Sequence, residues 1–183
     1  MIADILIPLA AIGLAELGDK TQISILLLSS RTTRHLHLLL GVFLAFLTVD
    51  GIAILVGSWI TSILPVSWLK LASGIIFIVF GLFTLRSHEE RTESKLRFNN
   101  PFLSGFAFVS MMEWGDKTQI ASALFAARYD PWMVLIGTMT ALTLLSVAAI
   151  YLGKLILSRI DRRTMMKVAG TAYVLIGISF FLV

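Results

Sequence analysis

Two stretches of this 183-residue chain carry acids, amides, hydroxyls and an ammonium in the same order. Glu16 to Ile23 reads ELGDKTQI and Glu113 to Ile120 reads EWGDKTQI, with seven of eight positions identical at an offset of 97. Coincidence does not produce such a match among charged residues; it marks a duplication. In each copy the Glu and Asp stand three apart and share a helix face, with the Lys four beyond the Glu and the Gln three beyond the Asp. Glu16, Asp19, Thr21 and Gln22, with Glu113, Asp116, Thr118 and Gln119, offer carboxylate, hydroxyl and amide oxygens. Those donors suit hard ions such as Mn²⁺, Ca²⁺ or Mg²⁺. The chain has no cysteine, and His35, His37 and His88 read as solvated loop residues, so a thiolate or imidazole zinc or copper site is not expected. Four carboxylates against Lys20 and Lys117 leave a formal balance of −2, which one divalent cation or two protons would cancel.

The elements that must hold these groups are membrane helices. Hydrophobic residues make up 57% of the chain, charged ones only 14%, and the mean hydropathy is +0.90. Those values exclude a disordered protein, a soluble enzyme domain and an ordinary nucleic-acid binder, despite a net charge of +4. The fold class expected is an all-α membrane protein with six transmembrane helices, at 5–30, 36–58, 67–86, 101–127, 132–157 and 165–183. The first is not a signal peptide, because it lacks a basic leader, carries Asp4 before the apolar run and continues too far. Pro65 separates the second span from the third, and Pro131 opens the fifth. Eleven Lys and Arg residues fall in the loops after spans one, three and five, against Lys70 and Arg128 on the other side. The excess puts those loops in the cytoplasm and both termini outside, with Trp59, Trp68, Tyr129 and Trp132 at the outer interface.

Three spans per copy is an odd number, so the copies enter the membrane from opposite sides, as two inverted-topology three-helix repeats. The division is 1–86 for the first repeat, 87–100 for a cytoplasmic linker and 101–183 for the second. Both motifs then fall near mid-membrane. Arg31 and Arg128 keep the 97 offset, while Gly57 and Gly153, Gly74 and Gly170, and Gly81 and Gly177 pair at 96, where chance matching of glycines carries equal weight. Leaving six charged side chains facing lipid would cost on the order of 15–20 kcal/mol, so they must meet one another, water or an ion. Self-neutralising Lys–acid staples would account for the lysines but not the excess acid. Gly18 and Gly115 either let the helix open, freeing carbonyls for the site, or serve close packing. Asp50 has Ser146 as its counterpart and could carry a proton, complete an ion path or pair with a motif lysine. Ser24 and Ser122 line an exit path or bond their own helices. Met111 and Met112 read first as packing, with a soft sulfur that would favour a transition metal over calcium as the alternative, and Trp114 is ambiguous in the same way.

The duplicated Glu-x-Gly-Asp-Lys-Thr signature, Glu16 to Thr21 and Glu113 to Thr118, resembles that of uncharacterised protein family 0016. That family includes the Golgi manganese/calcium–proton exchangers of eukaryotes and the MneA-type manganese exporters of bacteria. The resemblance extends over the whole chain in size, span number and one motif per half. It implies cation/proton antiport with the motif acids as ligands, and fits a plasma-membrane member better than a Golgi one. The expected activity is proton-driven export of Mn²⁺, with Ca²⁺ as a further substrate. Glu16, Asp19, Gln22, Glu113, Asp116 and Gln119 would hold the metal, supported by Lys20, Thr21, Lys117, Thr118 and Asp50. No enzyme activity or cofactor is expected. The partners are a divalent metal ion, protons and the lipid bilayer, with self-association open and no nucleic acid. A cation channel and an organic-cation exporter use the same acids in the alternative readings. An intramembrane hydrolase lacks a histidine cluster or Ser–Lys dyad.

Overall fold

The computed structural model describes residues 2–86, 100–152 and 162–182. The 87–99 portion of the linker, His88, Gly153 and the basic residues from Lys154 to Arg159 lie outside the described residues. Among the described residues the regular structure is entirely helical: α1 (Ile2–Glu16), α2 (Lys20–Ser29), α3 (His35–Ile60), α4 (Val66–Arg86), α5 (Pro101–Glu113), α6 (Lys117–Ala126), α7 (Pro131–Val147) and α8 (Arg162–Leu182). A π turn, Ala148–Leu152, continues α7.

Helix starts follow local chemistry. The Asn100 side chain accepts from the Phe102 N–H at 3.0 Å, and that of Asp130 from the Trp132 and Met133 N–H groups at 3.0 Å each. In both, proline occupies the first helical position, where its missing N–H costs nothing. Pro65 stands at the sharp return from α3 to α4, accepting from the Trp68 N–H at 3.0 Å.

Among the described residues, three helices are long and apolar enough to cross a bilayer: His35–Ile60 with 26 residues, Ser67–Arg86 with 20 and Pro131–Leu152 with 22. Lys167–Phe181 is a shorter apolar helix. The polarity is that of a membrane protein. Leu55, Phe83, Leu144 and Leu175 are more than 60% exposed, while Glu16, Thr21, Asp50, Glu113 and Ser122 are buried.

The expected continuous first and fourth spans are corrected by the structure. Each is split, α1 from α2 and α5 from α6, by three residues centred on a glycine. Gly18 has φ +76° and Gly115 φ +79°, the only positive φ values among the described residues. A left-handed residue ends an α-helix by turning the chain out of its ladder, and glycine reaches it without a Cβ penalty. A Cβ on Gly115 would meet nothing within 4 Å, so close packing does not explain that glycine.

Helix α3 packs against α5 and α6, α7 against α1, and α4 against α8. The crossings are close. A side chain on Gly41 would strike the Phe102 carbonyl, and one on Gly137 the Ile5 carbonyl. On α4 and α8, Gly74 faces the Gly177 carbonyl and Gly81 the Gly170 carbonyl, each reciprocally, as small residues allow at helix crossings. Gly74, Gly81, Gly170 and Gly177, paired at the 96 offset, are therefore packing positions, as is Gly57, whose Cβ would strike the Ala123 carbonyl. Phe77 on α4 meets Phe125, Tyr173 and Phe180 with ring centroids 5.0, 5.8 and 5.7 Å away, joining α4 to α6 and α8.

Candidate cation site

The two breaks have the same backbone. Glu16 and Glu113 are the last residues of α1 and α5, and their carbonyls accept from the N–H groups of Asp19 and Asp116 at 3.1 and 3.0 Å. Asp19 (φ −71°, ψ 168°) and Asp116 (φ −74°, ψ 163°) are extended and stand at the N-cap positions of α2 and α6. An N-cap Asp usually turns its carboxylate onto its own helix. Neither does so. Each break also sets a helix C-terminus beside a helix N-terminus, so unwound carbonyls and N–H groups lie next to the acids.

The freed carboxylates meet across the copies. Oxygens of Glu16, Asp19 and Asp116 lie within 4.8 Å of one another. The Lys117 ammonium stands between the two aspartates, 3.5 Å from Asp19 Oδ2 and 3.4 Å from Asp116 Oδ2. Three carboxylates against one ammonium leave a formal excess of two negative charges. Lys20 is half-buried and makes no ion pair among the described residues, so the repeated lysines are not equivalent here.

Burial sorts the remaining ligand candidates. Glu16 is 0% exposed and neither of its oxygens has a hydrogen-bond partner. Gln22 is likewise buried, with both side-chain polar atoms unpartnered. Orphaned buried groups of this kind are costly in a folded protein and call for a ligand, an ion or a functional reason. In the second copy the same residue types are satisfied. Glu113 accepts from Thr21 Oγ1 at 2.6 Å and Thr118 Oγ1 at 3.3 Å. The Gln119 Oε1 accepts from the Gly115 N–H at 2.7 Å, while its Nε2 donates to the Val49 carbonyl at 3.3 Å. Of the six expected ligands, three converge, Gln22 is buried without a partner, and Glu113 and Gln119 are held by protein groups.

The supporting residues divide in the same way. Asp50 does not pair with a motif lysine among the described residues; its Oδ1 accepts from Ser122 Oγ at 2.8 Å, joining α3 to α6. Ser24 bonds its own helix at the Lys20 carbonyl, 2.8 Å away, and Ser146 at the Leu142 carbonyl, 2.7 Å away. His35 is not a solvated loop residue: its Nε2 lies 3.2 Å from the Ser29 carbonyl and its ring meets Tyr151 edge-on. Met111 and Trp114 are 69% and 63% exposed, so they are not core packing. Sequence reasoning passed over Tyr173 and Thr138, both fully buried with unpartnered hydroxyls. A hydroxyl-bearing residue within an apolar span was the available signal.

The comparisons agree with this chemistry. The sequence model of the family described as "Divalent cation/proton antiporter GDT1" matches residues 4–92 and 101–182. A Vibrio cholerae protein named "Putative manganese exporter" is 29% identical over 175 residues, covering 94% of this chain and 88% of its own. A GDT1-like protein of Synechocystis is 27% identical over 192 residues, covering 93% and 92%. GDT1-like protein 5 of Oryza sativa subsp. japonica is 26% identical over 214 residues, covering 95% and 92%. No solved structure matches. The duplicated acidic motif, its convergence in a helical membrane protein and the match along both halves lead to one assignment: the chain belongs to the GDT1 family of divalent cation/proton antiporters.

Proposed function

We infer that this protein exports Mn²⁺ across the plasma membrane in exchange for protons, with Ca²⁺ as a second substrate of the same site. The observation that carries the reading is the meeting of Glu16, Asp19 and Asp116 oxygens within 4.8 Å, with Glu16 buried and unpartnered. A hard divalent ion with bonds of roughly 2.0–2.6 Å separates opposite ligand oxygens by about 4–5 Å. That spacing suits a bare ion better than a bulky organic cation. The name of the Vibrio cholerae relative favours manganese.

Glu16, Asp19, Gln22, Glu113, Asp116 and Gln119 form the ligand set through which the ion passes, and not all of them engage it in one conformation. Lys117 offsets part of the acid charge when no metal is held. Thr21 and Thr118 hold Glu113, and Asp50 anchors α6 through Ser122. The path crosses an inverted pair of three-helix repeats, 1–86 and 101–183, joined by the 87–100 linker. Crossing contacts support that symmetry. An offset of 97 carries Ile5 onto Phe102 and an offset of 96 carries Gly41 onto Gly137, so the α3–α5 and α7–α1 contacts exchange. Six spans, with both termini extracytoplasmic, complete the arrangement. From the cytoplasmic side the deprotonated carboxylates take up the ion. After one repeat rocks against the other, external protons compete for the same oxygens and release it.

The test is flux in proteoliposomes loaded with a Mn²⁺-sensitive dye. An imposed pH gradient should drive Mn²⁺ uphill, and counter-movement of protons should follow at fixed stoichiometry. Flux that only dissipates the Mn²⁺ gradient, whatever the pH difference, would make the protein a channel.

A further inference from the structure

Among the fifteen lysines and arginines, only Lys70 and Arg128 belong to the loop side opposite the basic loops. They come together. Both line one cavity of about 370 Å³ formed by the ends of α3, α4, α6, α7 and α8, and among the described residues no acidic side chain lines it. Hydroxyls of Ser58, Thr61, Ser73 and Tyr129 complete its polar wall. The Arg128 guanidinium carbon lies 4.3 Å from the centroid of the Phe180 ring and 5.4 Å from that of Tyr129. Its Nη1 is buried and has no hydrogen-bond partner. Aromatic faces attract a guanidinium, but they do not saturate its fork of N–H donors. Arg31, at the matching position of the first copy, is exposed, so duplication alone does not account for the half-buried placement of Arg128. Trp59, Trp68 and Trp132 stand in the helix ends that form this cavity and its rim, each more than 60% exposed. Indole rings favour the level of lipid headgroups.

We propose that this cavity binds a phosphate oxyanion, held by the Arg128 fork and the Lys70 ammonium with the Ser73 and Tyr129 hydroxyls as further donors. Guanidinium geometry matches two phosphate oxygens at once, and the ammonium adds a point charge. The phosphate is that of an anionic phospholipid or free inorganic phosphate, and the two sources differ in what else they bring to the rim.

The experiment uses the whole protein in neutral detergent, with binding read by native mass spectrometry and by the shift in unfolding temperature. The probes are phosphatidylglycerol, inorganic phosphate and dioleoylglycerol, which has the chains without the phosphate. Phosphatidylglycerol or inorganic phosphate should bind and raise the unfolding temperature, and dioleoylglycerol should do neither. Saturation by phosphatidylglycerol alone assigns a lipid headgroup; equal saturation by inorganic phosphate assigns the free ion. Arg128→Gln and Lys70→Gln should each weaken binding about tenfold or more, as expected for loss of a charge-assisted contact. Should Arg128→Gln fail to fold, Lys70→Gln and Ser73→Ala still read the site. No binding of either phosphate probe, or unchanged binding in the folded variants, would overturn the proposal.

Discussion

Glu16→Gln separates an ion site from a structural staple, because the two predict opposite effects on the metal-free protein. Glu16 is completely buried and its carboxylate has no hydrogen-bond partner, so no donor is orphaned when the charge is removed. A buried ion carries an effective desolvation penalty of several kcal/mol, whereas an unsatisfied amide costs about 1–3 kcal/mol. Metal-free Glu16→Gln should therefore be as stable as the parent or more so, by up to about 2 kcal/mol. Metal reverses the order. At Mn²⁺ one hundred times its Kd, binding stabilises the parent by about 2.7 kcal/mol. For a chain of this size that raises Tm by about 5–11 °C. The variant retains only Asp19 and Asp116 of the three converging acids, still facing Lys117, and should lose most of that shift together with Mn²⁺/H⁺ exchange. The assay is thermal unfolding in detergent with and without Mn²⁺, paired with proteoliposome flux. A full Mn²⁺ shift in the variant would refute the ligand assignment. A metal-free loss of more than about 3 kcal/mol, the cost of breaking a buried pair, would make Glu16 a staple.

The helix break can be tested on its own: Gly115→Ala should cost about 1–2 kcal/mol from the left-handed backbone alone, since its Cβ meets no neighbour. Gly51→Ala, inside α3 with equally open space, should be neutral or stabilising by up to about 1 kcal/mol, and equal behaviour of the two in thermal unfolding would sink this account. Ser122→Ala should cost about 1.5–3 kcal/mol by leaving buried Asp50 without its donor, and much less in an Asp50→Asn background. A double-mutant cycle in chemical denaturation measures that coupling, and additive effects would argue against the bond. If protons and metal compete for the same carboxylate oxygens, as proposed, Mn²⁺ affinity should fall as pH falls and binding should release protons into weak buffer. Calorimetric titration at two pH values checks the sign; pH-independent affinity would exclude shared ligands.

Much of the site was legible because chemistry and repetition coincide. Charged residues at matching places in two apolar stretches had to meet one another, water or an ion, and their oxygen-rich composition pointed to a hard cation. Three things were not legible. Glycine serves both close packing and a left-handed turn, so the sequence left the roles of Gly18 and Gly115 open until φ decided them. The helix crossings at Gly74 and Gly81 show the other use of the same residue. Nor could nearly identical motifs reveal that Glu113 accepts two hydroxyls while Glu16 accepts none, because that difference lies in what each copy packs against. Asp50 stands out in the sequence as an acid within an apolar span, but its partner, Ser122, is 72 residues away and set by how α3 crosses α6.

Gln22 and Gln119 occupy the same place in near-identical octapeptides, yet one is stranded and the other tied to both a loop amide and a neighbouring helix. Because the local sequences agree, neither arrangement is intrinsically favoured by its own stretch. The preference is imposed from outside, by the helices leaning on each copy. A shift in how those helices lean could trade the two arrangements with little change in local conformational energy, leaving a modest outside bias, such as an ion's charge, to decide which copy is closed.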